Sequence, residues 1–145
     1  LQGINQTREQ AMKNMYKNLK ELNKQARSRE VKILVENMPF RCKNCLLTTP
    51  EEFRELHSKL GNYLTLDFEH AREEKVIRRF IRTGLVKHVH VCQEAHTPTY
   101  EPGPIKFDLL KTIPGIKEIP IICEVLSPLG QIKSINHIHE LLNDS

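Results

Sequence analysis

No run of apolar residues in this 145-residue chain is long enough to cross a bilayer, and no charged-then-apolar leader opens it. The expectation is a soluble, cytoplasmic protein with no membrane partner. Glycine-rich nucleotide signatures are also missing. Neither G-x-G-x-x-G nor a P-loop follows any candidate strand, so a dinucleotide fold or an NTPase has little support. Charge of one sign is not in large excess: the net charge is +4, and the basic residues share their helices with Glu. Phosphorylated sugars, nucleic acid or no anion at all fit that balance equally well. Of four cysteines, only Cys42 and Cys45 form a C-x-x-C. A second Cys or Cys/His pair at similar spacing, which a structural zinc site needs, does not follow. These two are therefore expected as reduced thiols in a loop, with a zinc knuckle or a redox pair as alternatives. Cys123 lies inside an apolar run and reads as a small core residue. The chain opens on Leu1 rather than Met, as a fragment or a processed product would.

What is present is enough for one core: 39% of the residues are hydrophobic. Residues 7–28 carry Ala11, Met15, Leu19, Leu22 and Ala26 at helical spacing, with Thr7 and Gln10 placed as in a capping box. Val31 to Val35 reads as a buried strand ending at Glu36. After a loop over 38–49, Thr49 caps a helix that opens on Pro50 and stops at Gly61. A strand from Tyr63 to Leu66 ends at Asp67, and a helix over about 71–83 stops at Gly84. Val86 to Val91 is the third strand, followed by a long loop over 92–104 and a short helix over about 105–112. Ile119 to Val125 is the fourth strand, and a last helix covers about 129–142. Strands that alternate with helices, each strand short and apolar, give an α/β fold with a parallel sheet and right-handed crossovers. No internal repeat extends beyond the βα unit itself.

Each strand ends in a potential metal ligand: Glu36, Asp67, His90 and Glu124. Parallel βα folds bind ligands at the C-terminal ends of their strands. Apolar strands that repeatedly end in an acid or an imidazole are costly without a partner, because a buried charge needs pairing or a metal. Alternation along a strand aligns Leu34 with Glu36, Thr65 with Asp67, His88 with His90, and Ile122 with Glu124 on one face. Three carboxylates and one imidazole suit a divalent Mn, Mg, Co or Zn ion. His88, one pleat below, is expected as an interior histidine. His57, His137 and His139 are expected on helix surfaces, and Glu69 as a first-turn acid favoured by the helix dipole. Lys75, Arg78, Arg79 and Arg82 are expected on a solvated outer face.

Four segments in order carry a resemblance: Val35-Glu36-Asn37-Met38-Pro39, Leu64-Thr65-Leu66-Asp67-Phe68-Glu69-His70, Val86-Lys87-His88-Val89-His90-Val91 and Ile121-Ile122-Cys123-Glu124-Val125. Together they resemble the last four strands of the xylose isomerase-like and endonuclease IV-like TIM barrels, across about residues 7–142. The D-x-x-H of Asp67 and His70 is the most specific piece. The resemblance implies the C-terminal half of a (β/α)8 barrel, with residues 1–145 as a single partial domain. In the isomerase and epimerase branch it implies one metal on Glu36, Asp67, His90 and Glu124, with Glu36 and Glu124 also the acid/base pair and His70 on the substrate. In the endonuclease branch His70 becomes a metal ligand, and His96 with Glu94 extends a multi-zinc site. The Asp-Arg-His wording of that branch is replaced here by Gln93-Glu94-Ala95-His96.

The implied activity is isomerisation or epimerisation of a sugar or sugar phosphate. The metal would polarise the carbonyl and the two Glu residues would move protons through an enediolate. Two alternatives stand beside it: a zinc phosphodiesterase acting on abasic DNA, and a barrel remnant without catalysis. A complete barrel needs about 250 residues, and four strands alone leave two open edges. A missing barrel half or self-association is therefore also expected.

Overall fold

The computed structural model describes residues 7–39 and 41–144. Four strands form one parallel sheet in the order β1 (Leu34–Glu36), β2 (Tyr63–Asp67), β3 (Val86–Val91) and β4 (Ile121–Cys123). Between and around them lie α1 (Arg8–Arg27), α2 (Pro50–Leu60), α3 (Phe68–Ala71), α4 (Glu74–Ile81) and α5 (Pro128–Asn143). A sheet whose order follows the chain, with a helical crossover between neighbouring strands, is what successive (β/α) barrel units require.

Local chemistry sets most element ends. Thr49 accepts from the Glu52 N–H at 3.4 Å while the Glu52 carboxylate accepts from the Thr49 N–H at 3.1 Å, a complete capping box ahead of Pro50. Gly61, with φ 75°, closes α2 in the left-handed conformation that only glycine adopts without strain. Thr49→Ala should therefore cost about 1 kcal/mol, and thermal unfolding followed by circular dichroism should show a Tm roughly 3 °C lower. An unchanged Tm would mean that the cap is idle. At α5, Ser127 accepts from the Gly130 N–H at 3.0 Å and Pro128 takes the first helical position.

The core lies on the helix side of the sheet. Leu64, Leu66, Val89 and Val91 are fully buried there against Phe53 of α2, Ile77 and Phe80 of α4, and Leu110. Phe53 meets Phe80 edge to face at 5.8 Å, a favoured aromatic geometry. On the other face Leu34, Glu36, Thr65, Asp67, His88, His90 and Ile122 follow the pairing register, and Ile122 is half exposed. A one-residue register shift opposite Leu64–Thr65 places Lys87 as an extra residue in β3. This bulge lets Val86 and Val89 both enter the core while His88 and His90 keep to the other face.

Several expected boundaries are corrected. Val31 is exposed and β1 has only three residues, Leu34–Glu36, the stretch that pairs with β2. The fourth strand is likewise limited to Ile121–Cys123, the stretch that pairs with β3. The helix expected over 71–83 is broken at Arg72, whose φ of 57° is costly for a side-chain-bearing residue. Arg72 is held there by an ion pair with Glu94. The short helix expected over 105–112 is a 3-10 helix, Phe107–Thr112, followed by another at Ile116–Glu118. His57, expected on a surface, is half-buried: its Nδ1 is 3.0 Å from the Asn62 carbonyl and its ring packs on Tyr63. Cys42 and Cys45 are not reduced thiols. Two intervening residues turn the chain so that their Cα atoms lie 5.3 Å apart, within bridging distance, and the sulfurs are bonded.

Candidate metal centre

The strand ends bring their polar residues to one place along a staggered register, each strand carrying its ligand on the same face of the sheet. Asp67 pairs with His90, and Glu36 sits level with Thr65, two residues below Asp67. Glu124 follows β4, with its N–H still on the ladder to the Val91 carbonyl at 3.0 Å. His90 Nδ1 then faces three carboxylates: Glu124 Oε1 at 3.0 Å, Glu36 Oε2 at 3.7 Å and Asp67 Oδ2 at 4.0 Å. Two overlapping ligand groups result, Glu36–Asp67–His70 and Asp67–His90–Glu124, in each of which the donor atoms lie within 4.8 Å of one another.

Asp67 is shared by both groups and does two jobs with its two oxygens. Oδ1 accepts from the His70 N–H at 2.8 Å and so caps α3. Oδ2 faces the imidazoles of His70 and His90. The D-x-x-H spacing is therefore the N-cap-to-N3 spacing of a helix. It fixes His70 beside Glu36, with His70 Nδ1 3.1 Å from Glu36 Oε1 and 2.8 Å from the Asn37 carbonyl.

The electrostatics follow from burial and from these contacts. Desolvation pushes the Asp67 carboxyl up to about 6, against the His70 backbone hydrogen bond and charge and with the help of its neighbours Glu36 and Glu124. The His70 hydrogen bond holds Glu36 below the usual carboxylate range, and the same bond raises His70 to about 9. Burial lowers His88, which stacks edge-on against His90 at 4.9 Å and lies 3.4 Å from Thr65 Oγ1. His90 Nδ1 is buried and close to three acids, yet no partner is aligned to hydrogen-bond with it. A lone nitrogen in that position, ringed by carboxylates, has the donor set of a divalent-cation site. The residues present fit such an ion.

One supporting residue carries no sequence signal. Asn37, fully buried, accepts from the Asp67 N–H through Oδ1 at 2.7 Å and donates through Nδ2 to the Asp67 carbonyl at 3.2 Å. Its backbone carbonyl orients His70, so one residue braces both members of the D-x-x-H. Glu94 and His96 are not brought to the cluster. The Glu94 carboxylate is taken by Arg72, and His96 is exposed, with Nδ1 3.7 Å from Cys92 Sγ.

With this geometry in view, the comparisons are direct. The chain matches the family described as xylose isomerase-like TIM barrel over residues 1–141. No curated protein matches it. Among solved structures it is similar to a D-psicose 3-epimerase with D-tagatose from Clostridium cellulolyticum H10, at TM-score 0.76 and 14% identity, covering 96% of this chain and 59% of that one. It is also similar to a 3-keto-D-glucoside 4-epimerase from E. coli, at TM-score 0.73 and 14% identity, covering 94% and 56%. An L-ribulose 3-epimerase gives TM-score 0.71 and 21% identity, covering 96% and 48%. The chain thus spans roughly half the length of each of these structures.

Proposed function

Since the chain belongs to the xylose isomerase-like TIM barrel family, we propose that its strand-end cluster holds a divalent metal and that the complete barrel isomerises or epimerises a sugar. The observation that carries this reading is His90 Nδ1, a buried nitrogen without a hydrogen-bond partner, set among the carboxylates of Glu36, Asp67 and Glu124. Three neighbours of similar fold carry sugar-epimerase names, which supports the substrate class.

When bound, the ion supplies Lewis-acid polarisation of a sugar carbonyl. The chain's own residues do the rest. Glu36, kept ionised by His70, is poised to take a proton from the carbon beside that carbonyl. Glu124 approaches His90 from β4, across the sheet from Glu36, and can return a proton to the same or the neighbouring carbon. His70 Nδ1 points at a carbonyl and at Glu36, which leaves Nε2 for a substrate hydroxyl. Glu94 and His96, which a multi-zinc phosphodiesterase would need, stand outside both ligand groups, so the abasic-DNA reading loses its extra ligands.

Calorimetric titration of Mn²⁺ into this chain should show one site, weakened about 10- to 100-fold or more in Asp67→Asn. Heavy-water exchange into a panel of ketoses, run beside an abasic-DNA nicking assay, separates the two chemistries. Metal-dependent nicking without any exchange would overturn the proposal.

A further inference from the structure

The C-x-x-C of the β1–α2 loop plays no part in the chemistry above. Cys42 and Cys45 are bonded to each other and each is half-buried, so solvent reaches the bridge. The loop that carries them starts beside the site. Met38 N–H bonds to the Leu47 carbonyl at 3.1 Å, which closes the loop one residue after Asn37, the brace of Asp67 and His70. Arg41, adjacent to Cys42, pairs at 3.1 Å with Glu73 at the break between α3 and α4. Arg8 of α1 donates to the Cys45 carbonyl. The bridge is therefore tied to the foot of the loop, to the segment behind His70 and to α1.

Lys43 lies between the two cysteines, and Arg8 and Arg41, paired with Glu52 and Glu73, flank them. Positive charge stabilises a thiolate and so favours its departure in exchange. The remaining cysteines are a built-in contrast. Cys92 is buried and Cys123 is half-buried against the core, so neither offers an open sulfur.

We propose that Cys42–Cys45 is a thiol–disulfide exchange site for low-molecular-weight thiols and dithiols, and that its oxidised form clamps the loop supporting the metal cluster. An incoming thiolate forms a mixed disulfide with one sulfur while the other leaves as a thiolate. A second external thiolate then displaces the protein sulfur. The products are two protein thiols and one external disulfide, with two electrons and two protons delivered to the protein. Opening the bridge releases the tether between Arg41 and Arg8, and the foot of the loop at Met38 loosens. The effect on metal affinity rests on the function proposed above; the exchange itself does not.

The folded chain is incubated with dithiothreitol or with glutathione, alkylated with iodoacetamide, and mapped by mass spectrometry. Cys42 and Cys45 should be labelled together while Cys92 stays unlabelled. The oxidised form should bind Mn²⁺ several-fold tighter than the reduced form, and C42S/C45S should match the reduced form in either buffer. A pair that yields thiols only after unfolding, or equal Mn²⁺ affinity of the two forms, would overturn the proposal. If neither form binds Mn²⁺, the metal reading is what fails. Amide hydrogen exchange at Met38 then decides the clamp: faster exchange on reduction supports it, and an unchanged rate ends it.

Discussion

Glu36→Gln and Glu124→Gln should each lower proton exchange at the substrate's α-carbon by about 10²–10⁴-fold in the complete barrel, the range for a positioned acid or base. Glutamine keeps the shape of the side chain and removes both its charge and its basicity. The two carboxylates flank the same His90 nitrogen, at 3.7 and 3.0 Å, one from the end of β1 and one from just after β4, so each is expected to serve its own side of the substrate. The measurement is deuterium incorporation from heavy water at saturating Mn²⁺, which separates lost chemistry from lost metal affinity. His96→Ala, exposed and outside both ligand groups, should change the rate little. If either glutamine variant keeps most of its exchange at saturating metal, that residue is a ligand alone.

The largest effect on stability outside the apolar core is expected at Asn37. Asn37→Ala strips partners from the Asp67 N–H and the Asp67 carbonyl, both of which Asn37 now satisfies from a fully buried position. Each orphaned buried group costs about 1–3 kcal/mol, so a loss of roughly 2–6 kcal/mol is expected for the two. That is a large share of a domain's usual margin. Urea unfolding should show a lower midpoint with an unchanged slope. A loss below about 1 kcal/mol would mean that water replaces the amide. Because the Asn37 side chain braces Asp67, the residue shared by both ligand groups, Mn²⁺ affinity should fall in the same variant.

How much of this could be read from the residues depends on how local each signal is. The helix ends were legible: Thr49-Pro50-Glu51-Glu52 and Gly61 fix α2 through bonds made within a few residues. The four strand ends were legible too, because an acid or histidine closing an apolar run is conspicuous, and strand alternation says which face it takes. The break at Arg72 was not, since the helical spacing of Val76, Ile77 and Phe80 runs on from the residues before it and the partner that holds the kink, Glu94, is remote. The Lys87 bulge stayed hidden for a similar reason: Val86 to Val91 looks like unbroken alternation until its partner strand is known. Asn37 was missed because its partner is Asp67, thirty residues on, and an amide after a strand looks like ordinary loop chemistry. Glu94 and His96 were drawn toward the site by the resemblance alone; the arginine and the thiol beside them gave no warning.

Asp67 also bears on how such a chain would change over generations. One of its oxygens starts α3 and the other serves the cluster, so losing the side chain removes a helix cap as well as a ligand. Glu36 and Glu124 hold no comparable structural post in the described residues. A lineage that abandoned the chemistry would be free to drift at those two glutamates first, while selection for a folded product kept the aspartate in place. Among descendants of this sequence, then, the glutamates are the record of activity, and the aspartate is a record only of the fold.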